Sequence, residues 1–344
     1  MKNSAERRLV FRVDGDAIIG LGHVVRLLAL ADILRGLAPS VFLIRAPSEG
    51  VRQLLNDAGW PVYALPVEPS LMAEAEWLTS AFLLSTDVLL LDGYSFDFAY
   101  QSSLRRSGCG LVFIDDLRAW PVVADVLINH SPGVAAADYE APNATSLLLG
   151  PAFSLLRQPF LAAATLPQSY SSSDSVLICF GGADPLGLTV RTLIALSTLP
   201  QLHRVSIVVG GAFSSTNALQ QAIKQSPMPV IELHRGISAA ALVELLQTHA
   251  VIIVPASTVL IEALVLGRPA ITGYYADNQR YLADYVQQHA QAFSIGSFAE
   301  SSPIQLATLL NQGLNFFASH SPLPYVDALR PDLLRTAIQD LLNC

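Results

Sequence analysis

Arg12-Val13-Asp14-Gly15-Asp16-Ala17-Ile18-Ile19-Gly20-Leu21-Gly22-His23 reads as the end of a strand, a glycine-rich turn and the start of a helix. Upstream, Leu9, Val10, Phe11 and Val13 form a short apolar run of strand type. Downstream, Val24, Leu27, Leu28, Leu30, Ala31 and Leu34 recur at helical spacing. Gly20 and Gly22 tolerate backbone angles closed to other residues and let a ligand approach the main chain. The unpaired N–H groups of a helix start favour an anion, so a phosphate or a developing negative charge suits this turn. His23, opening the helix, is the candidate catalytic residue, although a histidine at a helix start is also commonly a polar surface or satisfied structural residue.

The same order repeats outward. Strand-like runs at 41–44, 62–65, 88–91 and 111–114 alternate with helical stretches such as 53–58 and 73–84, which implies a parallel sheet wrapped by helices. Ligands of such sheets bind beyond the carboxyl ends of the strands. The Asp14, Asp92 and Asp115 regions are therefore expected along one edge, with Tyr94 and Asp116 facing the same cleft as His23. Short strands at 126–129 and 147–149 precede the Ala-, Ser- and Pro-rich stretch from Pro159 to Asp174, which reads as an interdomain linker. Beyond it come a strand at 176–180, the turn Gly181-Gly182-Ala183-Asp184-Pro185 and a helix at 188–199. Strands at 205–209, 230–233 and 251–254 follow, with helices at 217–225, 239–248, 258–266 and 278–289. The expected fold class is α/β, with two facing Rossmann-like, doubly wound domains, residues 1–165 and 166–344, and a cleft between them. The apolar pattern from Leu329 to Leu342 predicts a closing helix that packs back on the first domain.

Composition agrees with two covered sheets. A chain of 344 residues is too long for one ordinary core. Apolar residues make up 52% and charged ones 14%, so a large fraction must be buried and global disorder is excluded. The net charge of −8 supplies no general field for nucleic acid or an anionic membrane, so any phosphate must be held by local backbone geometry. The apolar run after Arg8 is too short for a signal peptide, and the stretch from 250 to 266 is interrupted by Pro255, Ser257, Thr258 and Glu262. A soluble, cytoplasmic protein without membrane insertion is expected. Cys109, Cys179 and Cys344 are odd in number and far apart, a pattern that suggests buried thiols rather than a disulfide framework or a zinc site.

Two common nucleotide motifs are missing. The Gly20-Leu21-Gly22-His23 turn lacks the third glycine of a dinucleotide fingerprint, and the second strand ends in Arg45 with no acidic ribose-binding residue. No P-loop occurs. In the second half, Ser257 or Thr258 suits a helix cap after the strand at 251–254, with Glu262 one turn on. The same N–H groups and hydroxyls suit a diphosphate, with Glu262 accepting from ribose hydroxyls, and both readings stay open. Gly181-Gly182 is either a tight turn or a place where backbone approaches that diphosphate. Asp277 or Asn278 is a natural cap for the next helix, and Gln279 is polar enough to reach a ligand.

Taken in order, these pieces resemble the UDP-2,4-diacetamido-2,4,6-trideoxy-β-L-altropyranose hydrolases of pseudaminic acid biosynthesis and related nucleotide-sugar hydrolases or transferases of the glycosyltransferase B fold. The resemblance rests on Arg12-Val13-Asp14 with Ile19-Gly20-Leu21-Gly22-His23-Val24-Val25-Arg26, on Ile114-Asp115-Asp116, and on Leu149-Gly150-Pro151 with Leu155-Leu156-Arg157. It continues with Phe180-Gly181-Gly182-Ala183-Asp184-Pro185 and Asp277-Asn278-Gln279. It implies that the partner is a UDP-sugar, that His23 activates water for attack on the anomeric carbon, and that UDP leaves without a metal or other cofactor. A neutral imidazole, with a reference pKa of about 6.5, can take that proton at neutral pH. It further implies that Tyr94 and Asn278 position the sugar or the water, that Glu262 binds ribose, and that Asp14 orients the loop or His23. Ser257, Thr258, Gly181 and Gly182 would then stabilise charge on the departing β-phosphate. Family members often carry a glycine-rich turn before the Ser/Thr and an aromatic residue before the glutamate. Here Pro255-Ala256 and Ile261 stand in those places.

The fold does not separate an inverting hydrolase from a transferase, in which the histidine would deprotonate a sugar hydroxyl. A third reading is a nucleotide-sugar-binding protein without turnover, against which the retained His23 argues.

Overall fold

Leu9, Val10, Phe11 and Val13 are fully buried because their strand runs through the interior of a parallel sheet covered on both faces. The computed structural model describes residues 7–15, 21–166 and 174–344. Gly20, expected to shape the catalytic turn, lies outside the described residues. The first elements are β1 (Leu9–Val13), α1 (Gly22–Ile33), β2 (Ser40–Arg45), α2 (Glu49–Asp57), β3 (Val62–Leu65) and α3 (Leu71–Trp77). They continue with β4 (Val88–Asp92), α4 (Phe98–Arg105), β5 (Gly110–Ile114), β6 (Val126–Asn129) and β7 (Ser146–Leu149). Next come α5 (Gln158–Ala164), β8 (Ser175–Cys179), α6 (Leu188–Leu196), β9 (Arg204–Val209), α7 (Thr216–Gln225), β10 (Val230–Arg235) and α8 (Ala239–Thr248). The chain closes with β11 (Val251–Ile253), α9 (Thr258–Val265), β12 (Ala270–Tyr274), α10 (Asp277–Gln288), β13 (Phe293–Ser297), α11 (Pro303–Ser319) and α12 (Pro331–Asn343).

These elements divide into two units. The first comprises the chain up to Arg157 together with Ala328–Cys344, and the second comprises Gln158–Asp327. The division falls ahead of the expected boundary near 165, because part of the stretch read as linker is the helix α5, which packs on α8 and α9. Phe160 and Ala163 are its buried residues. α12 packs on α1 and β4, and Arg335 on it donates to the carbonyls of Ile33 and Arg35 beyond the end of α1.

Each unit carries one parallel sheet, as the alternation of strands and helices predicts. The first sheet has the order β3-β2-β1-β4-β5-β6-β7, and the second β10-β9-β8-β11-β12-β13. In both, the chain builds outward from the first strand on one side and then returns to build on the other. The switch points, where ligand crevices form in such sheets, thus lie between β1 and β4 and between β8 and β11. The register at the first places Val13 beside Asp92, and at the second Ile253 beside Ile178.

Local departures from the expected elements have simple causes. α2 starts earlier than residue 53 because Ser48 caps it, accepting from Val51 N–H. The helix expected over 73–84 is α3 followed by a single π turn at Leu78–Phe82. Cys109 and Cys179 are buried, whereas Cys344 is exposed, which corrects its expected burial. Among the described residues, no helix is long and apolar enough to cross a membrane.

Candidate active site

The first group of side chains gathers at the carboxyl ends of β1, β4 and β5. α1 begins at Gly22, so His23 and Arg26 stand three residues apart on its inward face, both buried. Asp92, the last residue of β4, is 0% exposed, and His23 is 8% exposed. His23 Nδ1 lies 2.8 Å from Asp92 Oδ1. Arg26 donates from Nε to Asp92 Oδ2 at 2.7 Å and from one terminal nitrogen to Asp92 Oδ1. Its other terminal nitrogen donates to both oxygens of Asp116, at 2.8 and 2.6 Å. Tyr94 stands edge-on to the His23 ring, with centroids 4.5 Å apart, and its hydroxyl is 3.5 Å from Asp116 Oδ2.

Electrostatics set the protonation of this cluster. Burial acts to raise the Asp92 carboxyl, but the charge and hydrogen bonds of Arg26 and the bond from His23 outweigh it and hold the pKa at about 2. Asp116 is likewise held below the usual carboxylate range, against its burial, by Arg26 and His130. His130, just past β6, is buried, and among the described residues its Nδ1 has no hydrogen-bond partner. Burial first and the Arg26 charge second push its pKa down to about 4, so it is a neutral ring beside a charged network.

Asp14 belongs to a separate network. Its carboxylate accepts from Arg12 at 2.6 and 2.8 Å and from the backbone N–H of Arg45 at 2.9 Å. Arg12 is fully buried and also pairs with Glu74 at 2.8 Å, which accepts from the Tyr100 hydroxyl. The carboxylate that holds the His23 ring is therefore Asp92 and not Asp14, which instead anchors the chain leaving β1. Asp115 is structural too. It accepts from the Leu117 and Arg118 N–H groups and from the Tyr139 hydroxyl, shaping the turn after β5. Gly22 is exposed, and among the described residues a Cβ built there would meet nothing within 4 Å.

The second group lies on the other unit, at the exits of β8 and β11. Gly181 has φ +80°, a conformation suited to glycine. A Cβ on Gly210, after β9, would sit 2.5 Å from the Gly182 Cα, so two glycine loops touch backbone to backbone. Asp184 caps α6, accepting from Leu188 and Thr189 N–H groups at 2.8 Å each. α9 differs: Ser257 is its N-cap residue, yet the Ser257 side chain makes no capping bond, and Thr258 is the first helical residue. The capping reading of Ser257 is thus not what the structure shows: its side chain leaves the first N–H groups of α9 to other acceptors. Glu262, one turn on, faces inward and is buried.

The residue before α10 is Ala276, so Asp277 and Asn278 are the first helical residues and neither is the cap. Asn278 is exposed. Gln279 is buried, and its Oε1 accepts from the Tyr275 N–H at 3.0 Å, which ties down the turn leading into α10. Sequence reasoning passed over Arg26 and Gly210. Arg26 was in plain view at helical spacing from His23, but only the fold shows what it reaches. Among the described residues, no three His, Cys, Asp or Glu side chains cluster in a way that would hold a metal ion.

Comparison with known proteins adds the following. No protein-family model matches the chain. It is 24% identical over 313 residues to the uncharacterized protein MJ1062 of Methanocaldococcus jannaschii, an alignment that takes in 87% of this chain and 63% of that protein's length. It is 25% identical over 288 residues to the UDP-2,4-diacetamido-2,4,6-trideoxy-β-L-altropyranose hydrolase of Campylobacter jejuni, covering 81% of this chain and 96% of the hydrolase. The spore coat polysaccharide biosynthesis protein SpsG of Bacillus subtilis is 23% identical over 288 residues, 82% of each chain. Among solved structures, MurG of Acinetobacter baumannii matches with a TM-score of 0.63 and 15% identity, over 98% of this chain and 99% of its own. The Staphylococcus aureus MnaA–UDP structure matches with a TM-score of 0.59 and 13% identity, over 98% and 97%. By sequence the chain is a homologue of the Campylobacter hydrolase and of SpsG, and its fold is that of the glycosyltransferase B enzymes.

Proposed function

We propose that this chain is an enzyme acting on UDP-sugars, and specifically a hydrolase of UDP-2,4-diacetamido-2,4,6-trideoxy-β-L-altropyranose in cytoplasmic synthesis of pseudaminic acid-type sugars. The observation that carries the reading is the buried His23 held on an ionised carboxylate at the switch point of its sheet, in a homologue of the Campylobacter hydrolase. The His23 imidazole takes a proton from water as the water oxygen bonds to the anomeric carbon. The bond from that carbon to the β-phosphate oxygen breaks, its electron pair leaves with UDP, and the sugar is released with inverted configuration. UDP is a good leaving group, so the reaction needs neither a protein acid nor a metal.

In this reading the uncapped start of α9, with Ser257 and Thr258, and the Gly181-Gly182 turn receive the diphosphate. Glu262 takes the ribose, and Tyr94, Asn278 and Gln279 position the sugar and the water. The transferase reading has one observation in its favour. Leu21, Leu117 and Trp120 are exposed apolar side chains on the turns at the carboxyl edge of the first sheet, a surface that an acceptor would cover.

The test is UDP release from the named UDP-sugar by wild-type and His23→Ala protein, with no acceptor and no metal added, followed by NMR of the sugar. His23-dependent release without an acceptor is the expected result. Release only with an acceptor would establish a transferase, and binding without turnover of any donor would leave a binding protein.

A further inference from the structure

We propose that Arg26 and Asp92 are positioning residues that fix His23 as the Nδ1–H tautomer and so leave Nε2 as the nitrogen that takes the proton. The inference rests on the reading of His23 as the base. It comes from the way three side chains share two oxygen atoms.

Asp92 Oδ1 sits 2.8 Å from His23 Nδ1. An ionised carboxylate only accepts, so this approach is attractive only when Nδ1 carries a hydrogen. Asp92 stays ionised because Arg26 grips both of its oxygens, Nε on Oδ2 and a terminal nitrogen on Oδ1, the bidentate geometry that holds a carboxylate in one plane. The terminal nitrogen on Oδ1 also comes within 3.1 Å of Nδ1; a guanidinium N–H only donates, so this longer contact alone would favour a bare Nδ1, and the shorter contact to the ionised carboxylate is the one that decides the tautomer. Two donors thus converge on one oxygen, and the ring cannot turn over to present its other edge without giving up the shorter contact.

The remaining terminal nitrogen of Arg26 holds Asp116. One guanidinium on α1 therefore joins the end of β4 and the turn after β5, and keeps the buried Asp92 and the half-buried Asp116 charged side by side. Without it, the two acids would repel and one would take up a proton. A protonated Asp92 is a donor to Nδ1, which reverses the tautomer. The Asp92→Asn change acts by a different route: it removes the charge on which Nδ1–H rests, and because Arg26 reaches both positions the new amide N–H₂ meets an Arg26 donor in either orientation, so the hold on the ring is lost.

The test is long-range 1H–15N NMR of the histidine-labelled full chain at neutral pH, for wild type, Asp92→Asn and Arg26→Gln, with UDP release measured on the same samples. The wild type should show Nδ1–H with Nε2 bare. Asp92→Asn should show Nε2–H, with kcat down by about 10²–10⁴-fold and KM within about threefold. Arg26→Gln should move the same resonances and lower kcat in the same direction. Arg26→Lys, which keeps the charge but not the fork, stands in for either variant that does not fold, and should lower kcat by about tenfold or more. Nε2–H in the wild type overturns the inference. So do variants with kcat within threefold of wild type when His23→Ala is inactive. If His23→Ala still turns over, it is the base reading that falls, and the wild-type spectrum decides the tautomer on its own.

Discussion

The exits of β4 and β11 occupy equivalent places in two sheets of like topology, yet they are built from opposite materials. At β4 the charges are held by side chains: Asp92 and Asp116 share Arg26, and His23 rests on Asp92. At β11 the side chains make little of the helix that follows, since the Ser257 side chain makes no capping bond to α9. A carboxylate already held by donors keeps its charge while the ring beside it takes up a proton, and a helix start without a side-chain cap is a standing attraction for an anion. In the function proposed above, the difference means that a switch point whose partners are already taken by side chains is left for proton transfer, and one whose helix start has no side-chain cap is left for an anion.

His23→Ala should break the comparison most severely. UDP release is expected to fall by about 10³-fold or more while the dissociation constant for UDP changes by less than about threefold, because turnover and nucleotide binding depend on different exits. Single-turnover kinetics beside titration calorimetry with UDP would check this, and parallel losses in both would show that the two exits are not separable.

The next largest effect is on stability in acid. His130 is neutral in the folded chain, with a pKa near 4 against about 6.5 unfolded. Between those values the unfolded chain binds the extra proton, so stability is full above about pH 6.5 and is lost as pH falls toward 4, by an amount on the order of a few kcal/mol. Urea melts of wild type and His130→Gln across that range should show a flatter acid limb in the variant. Asp92, by contrast, keeps its contribution down to about pH 4 and loses it between there and about pH 2, just below the His130 window.

The smallest effects are the sharpest contrast within the second unit. Asp184→Ala removes a carboxylate that caps α6 through two N–H groups, and should lower stability by about 1–2 kcal/mol. Ser257→Ala removes no capping bond from α9, so the melting temperature should hold. The UDP dissociation constant should rise by about three- to tenfold, the loss expected for one ordinary hydrogen bond. A melting temperature that falls equally in both variants would mean that α9 is capped after all.

The sheets were legible in the sequence wherever strands were continuous apolar runs, as in Val88-Leu89-Leu90-Leu91 and Val176-Leu177-Ile178, because strands buried on both faces carry little else. β12 and β13 were passed over for the converse reason: Ala-Ile-Thr-Gly-Tyr and Phe-Ser-Ile-Gly-Ser are short, small and interrupted by glycine. α5 hid in a stretch whose alanines and prolines read as linker. At the site, His23 and the Asp92 region were placed by motif and by strand end. The partner of His23 was not, since Asp14 and Asp92 both follow strands and only the register of β1 on β4 brings Asp92 to the ring. Whether Ser257 caps its own helix depends on one rotamer, which no spacing encodes.

His23 and Arg26 reach the same carboxylate because three residues of α-helix turn the chain by a little less than one full revolution. The site is consequently sensitive to phase as well as to residue identity. One residue inserted between them would swing Arg26 through roughly 100°, off Asp92 and Asp116 together, with no side chain lost. Substitution at Val24 or Val25 and insertion between them are therefore different kinds of change: the first alters packing, and the second disconnects Arg26 from both acids at once.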